Sequence, residues 1–466
     1  MLGAILTIIV IVAMGYALAK QYKAQPVLLF SGFILLFCAA AFILPGTFPK
    51  SIIAKSTGSV WLDIFDVFRT QASSNLAGLG LTLMAIAGFS RYMEHVGASP
   101  ALFSIFQKPL QKIKSPYFLL VIAYFITQIL VIFIPSHAGL GVLLMVTMYP
   151  ILVRTGVSRL SAVGVIATCQ FIDHGPGSGN VIFAAKIAGI DPAVYFIQHQ
   201  LPVSIPIIIV VAIAHYVSQK WWDKREGYIF TGKLQEGITL EDDNDFRPPR
   251  IYALLPIIPV VLIIGFSPIF GSPIRIEVTT AMLLSTMIAM IFEFVRLRSV
   301  RAVIDSLQLF FEGMGKVFVL VVSLIICSQV FAQGLLAIGV VDALIAAAKD
   351  GGFGGVSMII AMSFVLALAA FMMGSGNAAF FSFAPLTPTI AQHFGLATVT
   401  MLLPMQIMTS FGRVVSPITP AIMAIASMAG VSPLQVVKRT AFPMFVAAAV
   451  NLALILFPEL RLNIGF

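Results

Sequence analysis

Four hydrophobic runs in this chain are interrupted, in two matched pairs, by residues that do not suit a spanning helix. In the first half Pro135-Ser136-His137-Ala138-Gly139 breaks one run, and Asp173-His174-Gly175-Pro176-Gly177-Ser178-Gly179-Asn180 breaks the next. In the second half Gly374-Ser375-Gly376-Asn377 and Ser410-Phe411-Gly412-Arg413-Val414-Val415-Ser416-Pro417 do the same. Ser136 and Ser178 stand 42 residues apart, Ser375 and Ser416 41. Backbone that leaves the helix inside a bilayer loses its hydrogen bonds, so it persists only where it lines a protein cavity. Two breaks in each of two related halves predict a binding site near the membrane midplane.

The runs themselves set the class. The chain is 59% hydrophobic with mean hydropathy +1.02 and only 10% charged residues, against roughly 25% in soluble domains. Apolar stretches such as 27–44, 76–90, 203–217, 251–266 and 317–332 each suit a helix crossing a hydrocarbon core of about 30 Å. The expected fold is an all-α polytopic membrane protein. The first stretch, 2–19, has no basic segment before it and is expected to be a mature helix, not a signal peptide. Cys38, Cys169 and Cys327 have no metal-ligand spacing, and no metal or cofactor is expected.

The net charge of +9 is explained by the loops and calls for no nucleic acid. With the N-terminus outside, 19 of the 28 Lys and Arg fall on the inner side and seven outside, the bias of the positive-inside rule. Both termini are then periplasmic in a multi-pass protein of the bacterial inner membrane. This holds only if residues 118–154 and 357–394 are hairpins that enter and leave on one side. Residues 1–75 are expected to form N-terminal spans, 76–219 a first repeat with its broken helix over 161–189, and 220–250 a cytoplasmic linker. Residues 251–302 connect to a second repeat over 303–466, with its broken helix over 399–428. Glu241-Asp242-Asp243-Asn244-Asp245 in the linker lacks the turn glycine and ligand spacing of a calcium loop. An odd number of crossings between equivalent elements inverts the second repeat, as in alternating-access carriers.

The interruptions carry the candidate site. Gly139, Ala138, Gly374 and Gly376 allow backbone to approach a ligand, while Ser136, Ser178, Ser375 and Asn377 offer hydroxyl and amide groups suited to carboxylate oxygens, and Gly179 and Asn180 of the first break join the candidate set. Helix N-termini after each tip favour an anion. Arg413 lies mid-segment, where a charge is costly and marks either a substrate contact or a distant acid partner. Asp173 and His174 either carry a proton or cap the freed backbone, and His137 either donates to a substrate or caps a helix end. Glu94, Glu312 and Lys316 read as boundary residues, solvated or paired locally, Glu312 and Lys316 having helical i,i+4 spacing. No nucleotide loop or hydrolase elbow is present, and adjacent Ser136 and His137 do not form a catalytic dyad. The sequence therefore argues against an enzyme.

At these motifs the chain resembles the DcuC family of anaerobic C4-dicarboxylate carriers of the ion transporter superfamily. The resemblance is clearest in 88–124, 139–145 (GLGVLLM), 176–185 (PGSGNVIFAA), 374–379 (GSGNAA), 412–417 (GRVVSP) and 432–440 (SPLQVVKRT). It implies a scaffold plus a mobile transport domain moving as an elevator. It also implies proton-coupled exchange, uptake or efflux of succinate, fumarate or malate, and a homodimer. Ser375, Gly376, Asn377, Gly412, Arg413 and Ser416 fall in its second-half motifs. The first break departs from the family pattern at Asp173, His174 and Asn180. The tips lack the Ser-Asn-Thr of sodium-coupled relatives, so protons are expected before sodium. A carrier of another organic anion or amino acid, or a non-transporting receptor, is the alternative.

Overall fold

The computed structural model describes residues 2–20, 22–44, 46–49, 51–53, 55–229 and 248–463. Every regular element is a helix: α1 (Leu2–Ala19), α2 (Ala24–Phe42), α3 (Val60–His95), α4 (Ala98–Gln111), α5 (Pro116–Phe133), α6 (His137–Arg154), α7 (Arg159–Ala167), α8 (Gly179–Ala188), α9 (Pro192–Arg225), α10 (Arg250–Gly265), α11 (Val278–Leu297), α12 (Val300–Ala337), α13 (Val340–Asp350), α14 (Gly355–Met373), α15 (Gly376–Phe383), α16 (Thr387–His393), α17 (Thr398–Val414), α18 (Pro420–Ala429) and α19 (Pro433–Leu456). Among the described residues nine helices are long and apolar enough to cross a membrane. The molecule is a helical, multi-pass membrane protein.

Two runs of elements follow the same order. α3 and α12 each contain a π-turn, at Leu76–Gly80 and Phe318–Val322. Each ends at a left-handed glycine, Gly97 and Gly339, both with φ 75°. A short arm follows (α4, α13), then a hairpin (α5–α6, α14–α16), a broken helix (α7–α8, α17–α18) and a long return helix (α9, α19). α3 and α12 lie side by side and antiparallel: the first half of each packs against the second half of the other, and the π-turns meet. Small residues permit the approach, as usual between helices in lipid. Gly88 faces Phe310, and Gly313 faces the Ala87 carbonyl.

Two boundaries and one helix type differ from those expected. Residue 75 is no domain edge, because α3 runs through it with only the π-turn to mark it. Residues 251–266 do form an apolar helix, but its first half, Arg250–Ile257, is a 3₁₀-helix. The expected linker begins late, because α9 continues to Arg225; its acidic run at 241–245 lies outside the described residues. The end of α9 is pinned by a buried ionic cluster. Arg439 of α19, 1% exposed, donates to Asp223 at 2.8 Å and Ser161 at 3.1 Å, and also to Glu226. Asp223 additionally accepts from Ser158, Ser161 and Tyr117. α5, α7, α9 and α19 thus meet at one set of charges.

The hairpin and the broken helix of the second run pack most tightly at Gly412. A Cβ there would stand 2.2 Å from the Ala367 carbonyl oxygen of α14. Gly412→Ala is therefore expected to destabilise the protein by about 1–3 kcal/mol through overpacking, read as a lower melting temperature of the purified protein. Gly15 of α1 has open space around its Cβ position, and Gly15→Ala should be neutral or slightly stabilising, since helical Gly costs about 1 kcal/mol relative to Ala. Equal melting temperatures for the two variants would refute the packing account.

Candidate functional site

Each hairpin tip is a helix start with a serine cap. Ser136, in extended backbone, accepts the Gly139 N–H at 3.1 Å and opens α6. Ser375 accepts the Ala378 N–H at 3.2 Å and opens α15. The second tip requires glycine before its cap: Gly374 has φ +60°, and a Cβ on it would lie 2.8 Å from Ile418. The two helix breaks create two more N-termini, α8 after Ser178 and α18 after Thr419. The second break lies later than expected. α17 continues through Val414, so Ser410 to Val414 are helical and the chain departs only over 415–419.

All four N-termini face one cavity of about 490 Å³. Ser136, His137, Asp173, Ser178, Gly179, Asn180, Ser375, Gly376, Asn377 and Arg413 line it. The opposite wall is α3, from Leu83 to Glu94, with α12, from Gly313 to Val321. Four expected residues do not line it. Gly412 serves the α14–α17 packing. Gly139 sits behind the first cap, where a Cβ would lie 2.9 Å from Ser136 Oγ and 3.2 Å from Glu94 Oε1. Ser416 is buried away from the cavity. His174 is also buried, with its ring nitrogens 2.8 Å from the Gln128 carbonyl and 3.1 Å from that of Ile172. The Ile172 carbonyl lies in the break and that of Gln128 within α5, so the ring caps freed backbone at Ile172 and ties the break to α5; His137 lies 3.1 Å from the Ala167 carbonyl, although its ring also lines the cavity.

Arg413 has the distant acid. Its Nη2 donates to Asp173 at 2.9 Å and to the Gln170 carbonyl at 2.6 Å. The other Asp173 oxygen accepts from Asn180 and, at 3.2 Å, from Ser410. Asn180 bridges on to Asn377 at 3.1 Å, joining the first break to the second tip. The Asp173 carbonyl accepts from Gln200 at 2.8 Å and Gln406 at 3.0 Å, and Tyr195 in turn donates to Gln406. Arg413 Nε, Asn180 Oδ1 and Gln170 Oε1 are buried without a hydrogen-bond partner among the described residues. With Nη2 committed to Asp173 and Gln170 and Nε buried, a carboxylate entering the cavity would take the remaining Nη1 donors or displace Asp173.

Sequence reasoning missed several lining residues. Gln170 and Thr419 flank breaks whose limits are not sharp in sequence. Glu94 does pair locally as expected, with Arg91 at 3.4 Å, yet both line the cavity. Lys316 forms no ion pair with Glu312 and lines it too. One available signal was the Gly-Ser-Gly-Asn quartet, present at both 177–180 and 374–377; the two asparagines of that repeat are the ones that touch. No group of three or more His, Cys, Asp or Glu placed to hold a metal occurs among the described residues.

Comparison with known proteins agrees with this architecture. The family model described as DcuC, C4-dicarboxylate anaerobic carrier, matches residues 2–458. A Vibrio cholerae serotype O1 protein named "Probable anaerobic C4-dicarboxylate transporter DcuC" is 34% identical over 447 residues, covering 95% of each chain. The anaerobic C4-dicarboxylate transporter DcuC of Escherichia coli K12 is 33% identical over 446 residues, 95% of this chain and 94% of its own. The solved structure of Neisseria gonorrhoeae MtrF, presented as illuminating a class of antimetabolite efflux pumps, matches with TM-score 0.64 over 94% of this chain and 96% of that one. At 14% identity that likeness speaks for the fold alone. With a family match over nearly its whole length, this chain belongs to the DcuC family of C4-dicarboxylate anaerobic carriers, which are membrane transporters and not enzymes.

Proposed function

We propose that the protein is a secondary active carrier of C4-dicarboxylates such as succinate, fumarate and malate, working by alternating access between two inverted repeats. The observation that carries this reading is the convergence of four helix N-termini and Arg413 on one cavity. Dipole ends, backbone N–H groups and the Arg413 guanidinium together favour a carboxylate. The antiparallel packing of α3 on α12, each the first helix of its run, supports the inversion. In the orientation set by the basic residues, the cavity extends to the exposed Arg91–Glu94 pair at the cytoplasmic end of α3. We read this state as inward-facing, with α3 and α12 in the scaffold and the hairpins and breaks in the moving, elevator-type domain.

The coupling reading places the proton on Asp173. While ionised, Asp173 holds Arg413. Protonation would remove the charge that competes with substrate for the guanidinium, so proton and dicarboxylate would load together. His174, committed to two backbone carbonyls and absent from the cavity wall, serves the helix break.

Proteoliposomes loaded with unlabelled succinate should accumulate labelled succinate by counterflow, competed by fumarate and malate. Exchange of no dicarboxylate would sink the substrate reading, and exchange of no solute at all would favour a receptor. Arg413→Lys keeps a positive charge but lacks the fork needed to hold Asp173 and a carboxylate together, and should abolish exchange in protein that still reaches the membrane. Normal transport by this variant would make Arg413 purely structural. For coupling, the exchange left in Asp173→Asn should no longer respond to an imposed pH gradient; a wild-type response would move the proton elsewhere.

A further inference from the structure

The charges lining the cavity cancel with one exception. Arg413 faces Asp173 at 2.9 Å, and Arg91 faces Glu94 at 3.4 Å. Lys316 lines the same space and has no carboxylate within ion-pair distance among the described residues. Glu312, one helical turn before it, is exposed and makes no bridge to it. Lys316 also lies on the other wall: it belongs to α12, whereas Arg413 and the helix N-termini come from the hairpins and breaks. Gly313, one turn earlier, is packed on Arg91 and the Ala87 carbonyl, so the start of this stretch of α12 is fixed against α3 and the lysine stem projects from a braced helix.

A C4 dicarboxylate carries its two charges at opposite ends. With one carboxylate at the helix N-termini and the Arg413 edge, the other is directed away from them, toward the wall where Lys316 supplies the unpaired cation. We propose that Lys316 binds the second carboxylate and thereby sets the preference for dicarboxylates over monocarboxylates. This rests on reading the cavity as the substrate site. A substrate held in this way bridges the two walls, so it is gripped by α12 only while that wall is apposed.

The test compares succinate with succinamate, the same carbon skeleton with one carboxylate replaced by an amide, as competitors of labelled succinate exchange. The wild type should prefer succinate by at least about tenfold, the effect of about 1.4 kcal/mol. Lys316→Met should weaken succinate until it falls within about twofold of succinamate, leaving succinamate affinity unchanged, and Lys316→Arg should retain the preference. If exchange by Lys316→Met is too slow to read, the same two affinities are measured calorimetrically on the purified variant, with Lys316→Gln as a second replacement. An undiminished preference for succinate in the Met and Gln variants would overturn the assignment, as would equal weakening of both compounds. If the wild type neither exchanges nor binds either compound, the substrate reading fails, and not the role of Lys316 within it.

Discussion

Both breaks in the membrane-spanning helices depend on the contact between Arg413 and Asp173. A helix interrupted in hydrocarbon must find partners for every carbonyl it frees, and the polar side chains at this site first meet that need. Arg413 takes the Gln170 carbonyl, Gln200 and Gln406 take that of Asp173, His174 lies on that of Ile172, and His137 on that of Ala167. In the second break, Thr419 donates to the Arg413 carbonyl at 2.6 Å. The ion pair then joins the two breaks across more than 200 residues of sequence. Removing one member of such a buried pair typically costs about 3–5 kcal/mol, because the other is left charged and unpaired.

The same pairing makes the site usable. An isolated arginine beside a cavity in the membrane would be expensive, and here Asp173 compensates it while leaving Nε without a partner. On the proposed function, a carboxylate arriving from water meets a compensated guanidinium in a cavity whose own charges nearly cancel. If the cavity is the substrate site, as proposed, two carboxylates compete there for one guanidinium, and a proton on the resident one would shift that competition.

The fold was legible wherever a break used residues that helices reject. Pro135-Ser136 and Gly374-Ser375 mark their tips within a residue, because a cap and a left-handed glycine leave few alternatives. The second helix break was displaced because Ser410 and Gly412 look like breakers. Gly412 is small for a different reason, the close approach of α14, and close packing between remote segments has no local signature. The Asp173–Arg413 pairing was open as a possibility, but its partners lie 240 residues apart. Lys316 was obscured for a different reason: Glu312, one helical turn earlier, offers a local partner in sequence that the structure does not use. Arg439 counted as one more loop cation, although it is among the most deeply buried side chains.

The polar contacts also divide the molecule unevenly. Arg413–Asp173 fastens the two breaks together, Asn180–Asn377 ties the first break to the second tip, and Arg439–Asp223 fastens the return helices α9 and α19 to α7. All of these lie within the hairpins, breaks and return helices. Between that body and the α3–α12 wall, no ion pair occurs among the described residues, and the side-chain hydrogen bond across the divide is that of Ser328 with Ser382 at 3.3 Å. Apolar packing is non-directional, so a face held mainly by it can exchange one register for another at modest cost, whereas a body pinned by directional charged bonds moves as a unit. The proposed elevator, a carrier that slides its site past a fixed wall, needs that contrast. In that reading Arg413 is paired within the moving body and Arg91 with Glu94 within the wall, so that only the substrate's second charge must let go of the wall.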